Sequence, residues 1–348
     1  MSLTERFPGL AKLPKVSLVD APTRVERMQR LSGFTGREVW VKRDDLTSDV
    51  YGGNKTRKLE YLLGDAAARR CDTILTPGAL GSHHVLATAV HGERHRFEVH
   101  GVLSPQPWND HVEENLRADL GAGAELHRSP HAVASPALMR ALAFRLRSKG
   151  KNPYLIPHGG SSPVGTLAYV DAGVELALQI ERGELPEPEA IYVALGSGAT
   201  AVGLSLGLAA SGLTIPIVAV RVTPKLLVSH GTLSALRDAT LDLLQAKEPR
   251  FPAIAELSAK LLDVDDTFGR VGYGVETDET VRARELAAAD GIDLDPTYTA
   301  PTLAVLLRHV EGGRRARVLF WHTLSSADLG PLLRKAPIAP RWARKHAS

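Results

Sequence analysis

An α/β fold built on parallel sheets is what this 348-residue sequence predicts, and three features predict it. Short apolar runs alternate with amphipathic helical segments along most of the chain, the pattern of parallel strands covered by helices on both faces. Several of those runs end in loops rich in glycine and hydroxyl groups, "TPGALGSHH", "PHGGSSPVG" and "LGSGATAVG". In such sheets ligands gather at the carboxyl ends of the strands. Length and strand count then favour two α/β layers.

Taken in order, the expected strands are "EVWVKR", "DTILTPG", "FEVHGVLS", "AELHRSP", "PYLIPHGG", "AIYVALGSG", "IPIVAVRV" and "ARVLFWHT". Each is a short apolar run bounded by turn residues, as a buried strand requires. Between them lie stretches with apolar residues at helical spacing: "KLEYLLGDAAARR", "ASPALMRALAFRLRSKG" and "TLAYVDAGVELALQIERGEL". "LPEPEA" reads as a short linker ahead of a strand. There is no fixed-period repeat and no low-complexity segment.

Hydrophobic residues make up 44% of the chain, enough at this length to bury a core without a disulfide or metal staple. The 42 Lys plus Arg against 39 Asp plus Glu leave a formal charge of +3 with no basic stripe interleaved with aromatics. Nucleic-acid binding is therefore not expected. The tail "PRWARKHAS" reads as a solvated end. Cys71 is the single cysteine, which excludes an internal disulfide framework. The start "MSLTERFPGLAKLPKVSL" lacks an apolar core of signal-peptide length, and no run approaches ~20 apolar residues. A cytoplasmic protein with no membrane partner is the expectation.

Two clusters invite a chemical reading. The loop "ALGSGATAVG" follows a strand and opens a helix, so its backbone N–H groups can cradle a phosphate, with Ser197 and Thr200 adding hydroxyls. Gly196, Gly198 and Gly203 miss the dinucleotide spacing, and the next strand ends in Arg221 and Thr223, with no acidic ribose ligand. Walker A is absent as well, so a monophosphate fits better. His84, His91 and His95 would share one helix face, but "HGERH" departs from H-E-x-x-H and supplies no carboxylate ligand. No metal is expected there. His91 and His95 read as helix-surface residues, whereas Ser82, His83 and His84 sit at a turn where a ligand would lie. No G-x-S-x-G elbow supports a serine hydrolase.

The second cluster is "YGGNKTRKLE" (Tyr51–Glu60), which opens a helix with three cations although that end is already the positive pole of the dipole. Three readings stay open from these residues: a phosphate site, a reactive lysine, or surface charge. By composition alone "KTRK" reads as a solvated charged face. A lysine whose surroundings lower its pKa could instead form a Schiff base with a carbonyl. A phosphate-bearing aldehyde, pyridoxal 5′-phosphate (PLP), would use both clusters at once.

These residues also carry a resemblance. The chain resembles PLP-dependent enzymes of the tryptophan-synthase-β type (fold type II), specifically the D-cysteine desulfhydrase and 1-aminocyclopropane-1-carboxylate (ACC) deaminase group. The matching pieces run in order through most of the chain: "RFPGLAKLPKVSLVDAPTRVERMQRLS", "VWVKRDDLTSDVYGGNKTRKLEYLLGDA", "DTILTPGALGSHHVLATA", "YLIPHGGSSPVGTLAYVDAGVEL", "VALGSGATAVGL", "GRVGYGVETDE", "GIDLDPTYT" and "VLFWHT". The resemblance implies two open twisted parallel-sheet domains with the cofactor in the cleft between them. It implies a large domain from residues 1–58 plus 166–348, a small α/β domain over 59–165, and a homodimer.

It also implies roles. Lys55 would be the Schiff-base lysine, with Asn54 and His83 against the cofactor and Lys58 near its phosphate. Gly196, Ser197, Gly198, Ala199 and Thr200 would form the phosphate cradle. Ser82, Tyr273 and Tyr298 would face the substrate, and Thr299 would contact the pyridine nitrogen, where ACC deaminases carry glutamate. Three departures bear on specificity: His83 replaces the usual asparagine, "WHTLSS" places Leu324 and Ser325 where glycines are usual, and Ala300 and Pro301 alter a "YTGK"-like turn. The activity implied is a PLP-dependent lyase acting on a small amino acid, foremost α,β-elimination from D-cysteine. ACC deamination and PLP binding without turnover are the alternatives.

Overall fold

The computed structural model describes residues 3–225 and 227–346 and places their strands in two sheets. The strands are β1 (Val25–Arg27), β2 (Glu38–Arg43), β3 (Thr73–Ala79), β4 (Glu98–Ser104), β5 (Glu125–Arg128), β6 (Pro153–Leu155), β7 (Ala190–Leu195), β8 (Ile217–Arg221), β9 (Leu262–Asp265) and β10 (Arg317–His322). One sheet has six strands in the order β1-β2-β10-β7-β8-β9, and the other has four in the order β5-β4-β3-β6. Among the described residues every ladder is parallel except β1 against β2.

The central strands are apolar on both faces because both faces are covered. Ile191 and Val193 of β7, Ala219 of β8 and Leu319 and Trp321 of β10 enter one core, with the helices Pro163–Glu181 and Ala199–Ala210. Tyr192, Val218, Val220, Val318 and Phe320, one residue out of step, enter a second core with the helix Thr299–Glu311. Period-two geometry applied to a sheet with no wet side produces this unbroken apolar reading.

All eight expected strands form. Two further ones, β1 and β9, are short edge strands whose pairing is supplied by a neighbour and not by a side-chain pattern of their own. The expected helices form at Asn54–Ala68, Ser135–Arg147 and Pro163–Glu181. Ser162 caps the last, its Oγ accepting the Gly165 N–H at 3.2 Å, and Pro163 sits where no intrahelical donor is needed.

Two sequence readings need correction here. "KTRK" is no solvated face: Thr56, Arg57 and Lys58 are buried, and the Arg57 guanidinium reaches Asp44 and Glu175. His91 is likewise buried, its Nε2 lying 2.9 Å from the Tyr51 carbonyl and 3.2 Å from Thr56 Oγ1. Both follow from helix Asn54–Ala68 being enclosed on several sides, so that a charge count cannot show which of its faces is wet.

Candidate active site

Lys55 stands on the first turn of helix Asn54–Ala68, where the chain makes a close crossing. Gly53 has φ +84°, and a Cβ there would meet the Thr323 carbonyl at 2.7 Å. Only glycine supplies both the left-handed backbone and the clearance. Lys55 projects into a cleft of about 450 Å³, counting the part open to solvent, with its Nζ 5.9 Å from the centroid of the Tyr298 ring. Burial pushes its amine down to about 8, with Asp295 opposing. That leaves on the order of a tenth of the amine free at neutral pH, far more than an ordinary lysine has, as a carbonyl-trapping lysine needs. Lys58, one turn on, is fully buried and donates to the Gly159 carbonyl at 3.2 Å. Burial first, and Lys55 second, hold its pKa well below the usual lysine range.

The glycine loop comes from the end of β7. Gly198 has φ +102° and opens helix Ala199–Ala210 without a capping side chain. Thr200 Oγ1 accepts from Asn54 Nδ2 at 3.1 Å, tying this loop to the lysine helix. Thr223 Oγ1 donates to the Gly196 carbonyl at 2.8 Å and fixes the turn from the neighbouring strand. Ser161 was not anticipated: its Oγ donates to Ser197 Oγ at 2.7 Å and accepts the Ala199 N–H at 3.2 Å. Gly159 beside it was not anticipated either, and a Cβ there would stand 2.3 Å from Ser197 Oγ and 3.7 Å from Lys55 Nζ. The signal was present, since "PHGGSS" ends a strand.

His83 lines the same cleft, but its nitrogens are engaged elsewhere. Asn115 Nδ2 donates to both the Gly81 carbonyl and His111 Nε2, so that His111 nitrogen is an acceptor. His83 Nε2, 3.1 Å away, must then be the donor. Burial, and His111 second, press the His83 pKa down to about 4, so the ring is neutral and its Nδ1 accepts from Tyr51 Oη at 2.8 Å. Tyr51–His83–His111 is therefore a directed chain of hydrogen bonds along the cleft wall. Sequence reasoning reached only its middle member.

The remaining expected residues divide. Asn54, Lys55, Lys58, His83, Gly196, Ser197, Gly198, Thr200 and Tyr298 line the cleft together, joined by Leu324 and by the unanticipated Asp295. Tyr273 lies behind Tyr298, with their hydroxyls 2.6 Å apart. Burial pushes Tyr273 up to about 12 and Tyr298 well above the phenol range, so both are protonated. Ala199 is buried in the first turn of its helix. Ser82 caps helix His83–Arg94, accepting the Val85 N–H at 3.3 Å. Thr299 is buried: its hydroxyl donates to Asp295 Oδ2 at 2.7 Å and accepts the Asp295 N–H at 2.8 Å. Asp295 also accepts the N–H groups of Thr297, Tyr298 and Thr299. Burial works to raise its pKa, but facing His83 and these donors it is held below the ordinary carboxylate value. Ser325 turns out of the cleft and accepts the Gly52 N–H at 2.8 Å. Pro301 sits in the first turn of helix Thr299–Glu311, where its missing N–H costs nothing.

The donor set suits one kind of group. A poorly solvated amine, a helix N-terminus opened by a left-handed glycine, two hydroxyls and a second buried lysine match an aldehyde carried on a phosphate. His84 adds an anion-seeking feature: it is buried, packs against Gly160 beside Lys58, and neither ring nitrogen has a partner among the described residues.

Comparison with known proteins agrees. Residues 16–323 match the family described as "Pyridoxal-phosphate dependent enzyme". The chain is 36% identical to the nocardicin C-9′ epimerase of Nocardia uniformis subsp. tsuyamanensis over 94% of its length and 98% of the relative's. It is 34% identical to the D-cysteine desulfhydrase of Salmonella newport, over 90% and 94% respectively. A crystal structure described as an ACC deaminase homologue superposes with a TM-score of 0.78 at 32% identity, covering 92% of this chain and 94% of that one. On fold, site chemistry and likeness together, the chain belongs to the pyridoxal-phosphate dependent enzyme family.

Proposed function

We propose that this enzyme is a lyase that removes the α-proton of a small amino acid and expels a β-substituent, with D-cysteine the first substrate to try. The observation that carries the reading is Lys55, an amine with its pKa lowered to about 8 in a cleft it shares with a glycine-opened helix N-terminus. Lys55 Nζ would hold the cofactor aldehyde, the turn Gly196–Thr200 and Lys58 its phosphate, and Asn54 the loop that carries Thr200. Bound there, pyridoxal phosphate supplies an electron sink for the pair left on the α-carbon when its proton departs.

This chain's residues would do the rest. Lys55 Nζ, released when the substrate amine takes its place, takes the α-proton as free amine, and the protonated Tyr298, backed by Tyr273, donates to a departing group. His83 closes the wall with its nitrogens turned to Tyr51 and His111, so it excludes water there and offers no charge. Ser82 at the helix N-terminus would meet the substrate carboxylate. With D-cysteine and water the products balance as pyruvate, sulfide and ammonia.

A second reading has its own support: the relative named an epimerase covers 94% of this chain. Epimerisation needs the same proton removal, with return from the other face. The loaded enzyme is therefore offered D- and L-amino acids, β-chloro-D-alanine and ACC in D2O. Pyruvate from D-cysteine supports the lyase. Deuterium at the α-carbon without 2-oxo acid supports an epimerase, and 2-oxobutanoate from ACC supports the deaminase. Cofactor uptake with neither product nor exchange from any substrate would overturn all three in favour of a binding protein. The division at residues 59 and 165, with Thr299 as support for the ring-nitrogen region, belongs to the same reading. So do a homodimer and a cytoplasmic location. No helix among the described residues is long and apolar enough to cross a membrane.

A further inference from the structure

Strands β4 and β5 carry the same tripeptide pattern, Glu98-Val99-His100 and Glu125-Leu126-His127. In their parallel register His100 lies opposite Glu125, and Val102 opposite His127. Side chains alternate along a strand, so Glu98, His100, Glu125 and His127 all emerge on one face of the sheet. His100 Nδ1 and His127 Nε2 stand 2.9 Å apart. The Glu125 carboxylate approaches both, at 3.7 Å from His100 Nδ1 and 3.5 Å from His127 Nε2. One ligand atom from each of the three residues lies within 4.8 Å of the other two.

The outer partners are those of a metal site. His100 Nε2 lies 2.9 Å from Glu98 Oε1, so the Nε2–H donates outward and the Nδ1 lone pair faces His127 and Glu125. Glu98 is itself held by Lys151. A carboxylate behind the histidine, fixing its tautomer, is the usual support of a ligating imidazole. His100 is buried and His127 partly so, which limits the access of bulk water to the pair. With bonds of about 2.1 Å, nitrogens 2.9 Å apart subtend roughly a right angle, and an opening of about 0.5 Å gives a tetrahedral one.

We propose that His100 Nδ1, His127 Nε2 and Glu125 bind a borderline divalent cation of the Zn²⁺ class, with water completing the shell. Two imidazoles and one carboxylate suit such ions and disfavour Mg²⁺ or Ca²⁺. Binding shifts the His127 proton to its other nitrogen, with no net loss of charge. His100 pairs with Leu75 in β3, four residues before that strand ends at Ala79, so the site lies away from the cleft at the carboxyl ends. The cation replaces an N–H···N contact and ties the edge strand β5 to β4.

The test uses full-length, PLP-loaded protein stripped with chelator and desalted. Zn²⁺ is followed by titration calorimetry, and Co²⁺ by its visible d–d absorption. One equivalent should bind with micromolar or tighter affinity, Mg²⁺ should not compete, and Glu125→Gln or His127→Gln should weaken binding at least about tenfold. The side chain of Glu125 is 63% exposed, so its variant keeps the fold, and equal unfolding midpoints in chelator verify this. Failure of the wild type to bind Zn²⁺ more tightly than millimolar, or unchanged isotherms in both variants, would falsify the site.

Discussion

At the residue scale, Lys55 sets what the cleft can do and what it costs. Burial lowers its pKa from the ordinary lysine range to about 8, so the folded state holds fewer protons on this amine than the unfolded chain does. The penalty is fully present below about pH 8, shrinks as pH rises, and is largely gone by about pH 10.5, the ordinary lysine value. Because the side chain is partly open to solvent, its size at neutral pH is on the order of 2 kcal/mol. Lys55→Met should therefore stabilise the cofactor-free protein by about that amount at pH 7 and by nearly nothing at pH 10.5. The same variant should lose the absorbance of the lysine-bound cofactor. Denaturant unfolding at the two pH values and a visible spectrum check both halves.

At the element scale, the site depends on how closely the helices Pro163–Glu181 and Ala199–Ala210 approach each other. A Cβ on Gly207 would meet the Val170 carbonyl at 2.3 Å, and one on Gly203 would meet Tyr169 Cβ at 2.4 Å. Backbone occupies the space, so no rotamer change can relieve the overlap. Gly207→Ala should cost about 1–3 kcal/mol through overpacking, read as a lower urea midpoint with an unchanged slope. It should also weaken cofactor affinity, because the N-terminus of that helix is the end that carries Ser197, Gly198 and Thr200 toward the cleft.

At the scale of the whole molecule, Asp44 holds the lysine helix to the large sheet. One oxygen accepts from Arg57 and Thr23, and the other from the Tyr169 hydroxyl at 2.6 Å and the Trp321 indole at 2.7 Å. Glu175 completes the cluster with Arg57 and Lys42. Burial works to raise the Glu175 pKa, but Arg57 and then Lys42 overcome it and hold the carboxyl at about 2. A depressed carboxyl contributes stability above its unfolded value, and that contribution is lost as pH falls toward the folded one. Glu175→Gln leaves two buried cations underpartnered and should cost about 3–5 kcal/mol at pH 7. The difference from wild type should shrink between about pH 4.5 and 2, as unfolding curves across that range would show.

The sequence alone determined the α/β class, eight of the strands, the lysine block and the glycine loop. These are written in local spacing, as apolar runs bounded by turns and glycines at a strand–helix junction. It also gave His83, though not what His83 does. Only the tertiary structure decided that Thr56, Arg57 and Lys58 of "KTRK" are buried, because their enclosure comes from residues more than a hundred positions away, Glu175 among them. Tyr51, His111, Ser161 and Asp295 escaped notice for the same reason, since each acquires its role from a partner on another segment. The paired E-x-H strands show the limit most plainly. Each tripeptide is an ordinary strand pattern, and only the register of β4 on β5 brings their ligand atoms together.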